Sequence, residues 1–182
     1  MTSQPTIRPF RPDEAEAFRR MRLRALAAHP EAFGNSVADE EAESMAKVAD
    51  RLARGDTFAG FIDDAPVGMA GFFQETGEKR RHKGLLWGVY VDPDQRGIGL
   101  AGRLVDKVLA HAAGRVEMVY LGVGIENRAA RRLYESRGFV ANGVEPHAFR
   151  LGERYVDELM MVRFMPGAPA PNDDWRAILS SP

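Results

Sequence analysis

A strand that turns sharply into a glycine-started helix constrains this chain more than any other stretch. Residues 85–91 form a nearly continuous apolar run of strand length, and Pro93 ends it. From Leu100 onward, apolar residues recur at helical spacing. Gly97 and Gly99 lie between the two elements, where the missing side chains let a ligand approach the backbone. Because the first amides of a helix lack intrahelical partners and lie at its positive end, this stretch predicts a pyrophosphate site.

The residues of this turn also match a family signature. The spelling is not Gly-x-x-x-x-Gly-Lys-Ser/Thr, which excludes a nucleotide triphosphatase P-loop. Residues 96–101, Arg-Gly-Ile-Gly-Leu-Ala, resemble the Arg/Gln-x-x-Gly-x-Gly/Ala signature of the GNAT superfamily of N-acetyltransferases. In that family these amides bind the pyrophosphate of acetyl-coenzyme A (acetyl-CoA). The resemblance therefore implies a coenzyme site formed by Gln95, Arg96, Gly97, Ile98, Gly99, Leu100, Ala101 and Gly102.

A second segment strengthens the resemblance. Residues 127–139 are similar to the family's Asn-x-x-Ala-x-x-Leu-Tyr-x-x-x-Gly-Phe, and the two motifs are separated by one predicted strand. The resemblance covers residues 5–164. It implies that the coenzyme's pantetheine arm pairs with the backbone of the central strand at Val89, Tyr90 and Val91, after a bulge near Gly88. It also implies that Asn127 contacts the coenzyme and that the Tyr134 hydroxyl lies by its sulfur.

Composition excludes several other classes of protein. The chain has 182 residues and a formal net charge of −1, so no overall field favours nucleic acid or an anionic membrane. Cysteine is absent, which excludes disulfides, thiolate metal sites and a cysteine nucleophile. The four histidines show no ligand spacing, and we expect no metal. No apolar leader or membrane-length run is found, so we expect a soluble cytoplasmic protein.

The order of predicted elements, β-α-α-β-β-β-α-β-α-β-β, is the one that the GNAT fold uses. We therefore predict an α/β fold with a mixed sheet of about seven strands and helices on both faces. We expect one domain over residues 1–165, followed by a Pro/Ala-rich linker and tail over residues 166–182. The tail carries Trp175, Ile178 and Leu179, whose docking on the domain or on a second subunit, as in a homodimer, the sequence leaves open.

Two predictions concern the helices between the first and second predicted strands. Asp13 is expected to cap the first helix with Glu16 as its partner, and the arginines of that helix are expected to face water rather than clamp a substrate. Those arginines are Arg19, Arg20, Arg22 and Arg24. A single acidic helix is expected over residues 38–53, with its glutamates, including Glu40, forming a solubilising surface rather than a cationic acceptor site.

The stretch Gly143–Arg154 is expected to be a long irregular insertion in the last hairpin, and such insertions are often functional. We expect it to contact the acceptor, which would be a small-molecule or peptide amine. The residues assigned to this role are Glu145, His147 and Tyr155.

The family's reaction moves an acetyl group from a thioester to a primary amine, and without cysteine the amine attacks directly. The resemblance makes Tyr134 the general acid. Amines with a pKa of about 10.4 are protonated at neutral pH, so a general base is needed to deprotonate the amine before it attacks. Many relatives place a glutamate on the central strand, but residues 85–91 contain none. The base stays open among His82, Glu126, Glu145 and His147.

Other readings of the motifs remain. A coenzyme-binding sensor or partner-binding module would keep the pyrophosphate site without turnover, although the intact Tyr134 favours an enzyme. The donor could be a longer acyl-CoA, which pocket volume decides. The acceptor is open among antibiotics, polyamines, amino acids, protein N-termini and lysine.

Overall fold

The computed structural model describes residues 4–169, which form seven strands and five α-helices. The first elements are β1 (Thr6–Pro9), α1 (Ala15–Ala28), α2 (Val37–Ala42), α3 (Met45–Ala53), β2 (Thr57–Ile62), β3 (Ala65–Gln74), β4 (Lys83–Val91) and α4 (Leu100–Ala112). The remaining elements are β5 (Met118–Gly124), α5 (Arg128–Glu135), β6 (Val140–Leu151) and β7 (Arg154–Phe164).

The strands hydrogen-bond in the order β1-β2-β3-β4-β5-β7-β6. β4 and β5 pair in parallel, from Lys83 opposite Met118 to Leu85 opposite Tyr120, because α4 carries the chain back between them. The β1–β2, β2–β3, β5–β7 and β6–β7 pairs are antiparallel. The predicted seven-stranded mixed sheet is confirmed.

The chain divides into two compact units. Among the described residues, the first contains 4–73 and 86–111, and its core is a set of apolar side chains from α1, α3 and the first strands. Phe10 packs edge-to-face on Phe18 and Phe61, with ring centroids 5.5 and 5.6 Å apart. This packing buries one face of α1, which includes Phe18 and Met21.

A two-residue turn joins β2 to β3, as the polar loop chemistry indicates. Asp63 and Asp64 both take positive φ, at 47° and 62°, and the strands pair directly before and after them. A turn with two such residues has the twist that antiparallel neighbours require. β2 and β3 therefore form a hairpin.

Among the described residues, the second unit contains 74–85 and 112–169, with β5, β7 and β6 paired in that order. The fully buried residues alternate along β5, as the two-residue period of a strand requires. Val119, Leu121 and Val123 on β5 are buried, and Phe139 before β6 is 2% exposed. Phe139 packs edge-to-face against Tyr134 of α5 at 5.8 Å.

The capping prediction for the first helix is wrong. Glu14, not Asp13, makes the stabilising contacts: it accepts from the Arg11 amide at 2.8 Å and pairs with Arg8 at 2.7 Å. A short 3₁₀ turn, Pro12–Glu14, then leads into α1. Asp13 lies outside this arrangement and pairs with the exposed side chain of Arg11.

The expected acidic helix over residues 38–53 is two helices. α2 ends at Ala42, and Ser44 starts α3 by accepting a hydrogen bond from the Lys47 amide at 3.3 Å. A serine at this position supplies the acceptor that a helix start needs, so it favours a new helix over continuation of the old one.

The expected irregular insertion over Gly143–Arg154 is also wrong. β6 runs to Leu151 and turns through Gly152 and Glu153 into β7. Its register against β7 shifts twice, between Ala141 and Gly143 and between Glu145 and Phe149, where His147 takes a φ of 55°. Such bulges break the two-residue alternation of a strand, which is why the sequence looks irregular there.

Within residues 4–169, no helix is both long and apolar enough to cross a membrane. Over the same residues, no three histidine, aspartate or glutamate side chains are grouped to hold a metal ion. Trp175, Ile178 and Leu179, whose docking the sequence leaves open, lie outside the described residues.

Candidate active site

The turn after β4 has the open backbone that the sequence predicts. Asp92 leads into a 3₁₀ turn, Pro93–Gln95, and the chain then passes Gly97 and Gly99 before α4 begins. Both glycines have positive φ, 82° and 76°, a conformation that costs other residues roughly 1–2 kcal/mol. A Cβ built on either glycine meets no other described atom within 4 Å, so the space beside this backbone is open.

The start of α4 presents amides to this open space. The Arg103 amide makes the first helical hydrogen bond, to the Gly99 carbonyl at 3.1 Å. The amides of Leu100 and Ala101 come before that bond, at the positive end of the helix. The Leu100 side chain is 1% exposed and fixes the helix start in the core, whereas Ile98 is 53% exposed. This arrangement suits a phosphate-type anion.

Arg96 holds the turn rather than projecting freely. Its Nε donates to the Val91 carbonyl at 3.2 Å, and its Nη2 lies 2.9 Å from His29 Nε2. The His29 ring is 6.4 Å from that of Tyr90. Arg96 therefore ties the end of β4 to the end of α1, which makes it a positioning residue for the glycine turn.

The side chains at the end of β4 are engaged with the protein. Tyr90 and Val91 are buried, and burial together with a hydrogen bond to Asp92 raises the pKa of Tyr90. Asp92 in turn pairs with Arg24 at 3.1 Å. A ligand at the end of β4 would therefore contact the backbone rather than these side chains. The Val91 carbonyl already accepts a hydrogen bond from Arg96.

In the second unit, Tyr134 is held rigidly on α5. Asn127 caps this helix by accepting a hydrogen bond from the Ala130 amide at 3.1 Å, as its position predicts. The Tyr134 side chain is 8% exposed, and its hydroxyl makes no hydrogen bond to any residue in 4–169. Burial raises the pKa of Tyr134, and the Glu158 carboxylate raises it further. The phenol is therefore fully protonated at neutral pH, as a proton donor must be.

Comparison with known proteins places this geometry in a family. A family model described as "Acetyltransferase (GNAT) family" matches residues 17–139, which is more than half of the chain. The chain belongs to the GNAT acetyltransferase family. The matched range contains the glycine turn as well as Asn127 and Tyr134.

Curated relatives and solved structures agree with membership in the GNAT family. A mycothiol acetyltransferase of Cellulomonas flavigena is 33% identical over 153 residues, covering 76% of this chain and 41% of the relative. An uncharacterized N-acetyltransferase of Mycobacterium bovis is 41% identical over 76 residues, covering 41% of this chain and 47% of the relative. The matches thus span about half the length of these relatives or less. The protein yncA of Salmonella typhimurium, solved with its cofactor acetyl-CoA, superposes with a TM-score of 0.78 at 23% identity over 93% of this chain and 99% of that one.

The remaining residues predicted for this GNAT site lie on β6 and β7. His147 stacks on Tyr155, with ring centroids 4.1 Å apart and planes 17° apart, and its amide donates to Asp157 at 2.8 Å. Glu145 lies opposite Glu158 in the β6–β7 register. Of the other candidate bases, Glu126 is exposed in the loop before α5, and the His82 carbonyl accepts from the Glu117 amide at 2.8 Å.

Sequence reasoning missed Glu158 as a candidate in this GNAT chain. The residue is half-buried on β7, where burial raises the pKa of its carboxyl group and the Glu145 carboxylate raises it further. A signal was present, because Glu158 precedes an apolar run, Leu159–Val162, in a strand expected to be covered on one face.

Sequence reasoning also assigned Arg22 to the solvent, and this is wrong. Arg22 is 6% exposed, pairs with Glu40 at 3.7 Å, and packs over Phe33 and Trp87. Its Nη1 lies 3.6 Å from the position of a Cβ on Gly88, which has a φ of 66°. The buried pair thus supports β4 where the regular strand geometry is interrupted.

Proposed function

We propose that this chain is an acetyl-CoA-dependent N-acetyltransferase in which a primary amine attacks the thioester directly in a ternary complex. The observation that carries the proposal is the open glycine turn. Gly97 and Gly99 leave backbone amides accessible where a Cβ would fill the space, which suits a pyrophosphate. Membership of the GNAT family supplies the reaction class. The acetyl-CoA in the Salmonella typhimurium structure and the name of the mycothiol relative support the same donor and transfer.

Bound acetyl-CoA supplies an acetyl group activated as a thioester. In the proposed function, the amides at the start of α4 hold the pyrophosphate, and the backbone from Val89 to Val91 pairs with the pantetheine arm. Tyr134 gives its proton to the departing thiolate, a role for which its buried, protonated hydroxyl is suited. Because the chain contains no cysteine, no cysteine acyl-enzyme is involved.

The acceptor is proposed to be a small-molecule or peptide amine that contacts β6 and β7. Glu145 is exposed and can attract an ammonium group, while the stacked rings of His147 and Tyr155 form an exposed aromatic surface. A cationic amine can lie against both kinds of group.

A thiol-release assay with an amine panel tests this function. The panel contains spermidine, L-lysine, a peptide with a free N-terminus and an aminoglycoside, each with acetyl-CoA and the full chain. We expect amine-dependent release of coenzyme A together with acetylated product. Tight binding of acetyl-CoA without thiol release for any amine would instead indicate a coenzyme-binding sensor.

Gly99→Val should lower the affinity for acetyl-CoA by at least about tenfold, because a β-branched side chain fills the open space beside the amides and disfavours the positive φ. Calorimetric titration of the folded variant measures this. Gly114→Val is the matched control: Gly114 has nearly the same φ, 75°, and equally open surroundings, but lies after the end of α4. Equal loss of affinity in both variants would refute the pyrophosphate assignment.

A further inference from the structure

Two carboxylates face each other across the β6–β7 pair. Glu145 and Glu158 are direct partners in the antiparallel register, so their side chains lie on the same face of the sheet. Like charges directly opposite each other destabilise a strand pair. The arrangement therefore costs stability unless a positive charge lies between the carboxylates.

The neighbouring strand makes room for one of them. A Cβ built on Gly122 of β5 would lie only 2.3 Å from Glu158 Oε2. The carboxylate therefore rests against bare backbone, in a space that any side chain at residue 122 would occupy. A glycine in the middle of a strand weakens it, so Gly122 is explained by the position of this carboxylate.

A third group points to a ligand at the same place. Tyr134 is 8% exposed, its hydroxyl has no hydrogen-bond partner within residues 4–169, and it lies close enough to Glu158 for the two groups to interact electrostatically. A phenol hydroxyl beside the Glu158 carboxylate, with no hydrogen-bond partner within residues 4–169, is a donor that a bound substrate can engage.

We infer that Glu158 is the general base of this enzyme and that Glu145 and Glu158 together bind the ammonium group of a cationic acceptor. This inference rests on the proposed function. A carboxyl group whose pKa is raised is a better match to neutral pH than an ordinary glutamate. The charged and titratable groups that face it are Glu145 from β6 and Tyr134 from α5, while on β5 its register partner Gly124 and the nearby Gly122 carry no side chain.

The protons balance in the following way. Glu158 takes one proton from the ammonium group and later releases it to solvent. The freed nitrogen lone pair forms the bond to the acetyl carbon as the carbon–sulfur bond breaks, and the departing sulfur takes the proton of Tyr134. After the new bond has formed, the nitrogen carries one proton more than the amide product needs. It gives this proton to the Tyr134 phenolate, which restores the hydroxyl. The products are the acetylated amine, coenzyme A with a free thiol, and one proton in solution.

Glu158→Gln in the full chain tests the role. With spermidine, whose amines are protonated at neutral pH, kcat/KM should fall by roughly 10²-fold, the lower range for general base catalysis. With aminoacetonitrile, an amine that is already neutral at that pH, it should fall only a few-fold. The deficit with spermidine should also shrink as the pH rises, because more amine is then neutral. Gly122→Ala should cause the same selective loss by displacing the carboxylate, whereas Glu153→Gln, in the exposed β6–β7 turn, should have no effect.

Thermal stability provides a second measurement, which distinguishes a catalytic role of Glu158 from a role in stabilising the fold. Folding raises the pKa of Glu158 above its ordinary value of 4.5. At a pH above the raised pKa the carboxylate is ionised in the native state and destabilises it, whereas at a pH below 4.5 the group is protonated in both states and has no such effect. Glu158→Gln should therefore raise Tm at pH 8, and this difference should vanish at acidic pH. A lowered Tm at pH 8 would overturn the inference, because it would show that the carboxylate stabilises the fold.

The kinetic outcomes distinguish the inference from the proposed function. A parent protein that releases coenzyme A with spermidine, while Glu158→Gln stays within threefold of it, overturns the role of Glu158 alone. An equal loss with spermidine and aminoacetonitrile also overturns it. A parent protein that acetylates no amine overturns the proposed function and this role together.

Discussion

Tyr134→Phe should lower kcat by roughly 10²-fold while leaving the affinity for acetyl-CoA and Tm almost unchanged. The variant keeps the ring and its edge-to-face packing on Phe139, and it deletes only the hydroxyl. The hydroxyl makes no hydrogen bond within residues 4–169, so its removal leaves no protein group unpaired. The loss is at the low end for a general acid because a thiolate is already a fair leaving group. Steady-state kinetics at saturating acetyl-CoA measures it.

Tyr120→Phe is the matched control. Tyr120 lies on β5 in the same unit, and its hydroxyl donates to Glu75. Removing a hydrogen bond to a charged group destabilises the fold, so this variant should lose stability and keep its kcat. A kcat for Tyr134→Phe within threefold of the parent would leave Tyr134 as a core residue only.

The order of elements and the glycine turn could be predicted because their signals are local. The apolar run before Pro93, the glycines at 97 and 99 and the cap at Asn127 each fix backbone conformation within a few residues. The parallel pairing of β4 and β5 followed from the helix between them. These features depend on the backbone and little on distant side chains.

The features that sequence reasoning missed depend on contacts between distant residues. Arg22 lies on a helix face rich in arginine, and only Glu40, eighteen positions later, accounts for its burial. Glu158 gains its altered pKa from burial and from Glu145 across a strand pair whose register is shifted by bulges. No pattern within a single element states which residue will lie opposite, so Glu158 was not among the candidate bases considered from the sequence.

Glu40→Gln should lower the free energy of unfolding by about 3–5 kcal/mol, because it leaves the Arg22 guanidinium buried without a counter-charge. The side chains of Glu40 and Arg22 are 1% and 7% exposed, and no other carboxylate pairs with Arg22 among the described residues. At 3.7 Å the pair is too long for a hydrogen bond, and both Arg22 Nε and Nη1 are unpartnered within residues 4–169. Replacing the Glu40 carboxylate with an amide therefore removes the counter-charge of Arg22 and breaks no hydrogen bond between the two side chains. Urea unfolding at neutral pH measures the change.

The same pair tests whether charge or packing carries this stability. Glu41→Gln, an exposed change on the same short helix, should alter unfolding by less than about 0.5 kcal/mol. The double variant Arg22→Met with Glu40→Leu removes both charges and should recover most of the loss, since apolar replacements of a buried pair are often neutral. A double variant as unstable as Glu40→Gln would contradict an electrostatic origin. It would instead assign the loss of stability to the packing of Arg22 over Phe33 and Trp87, next to Gly88, where β4 departs from regular strand geometry.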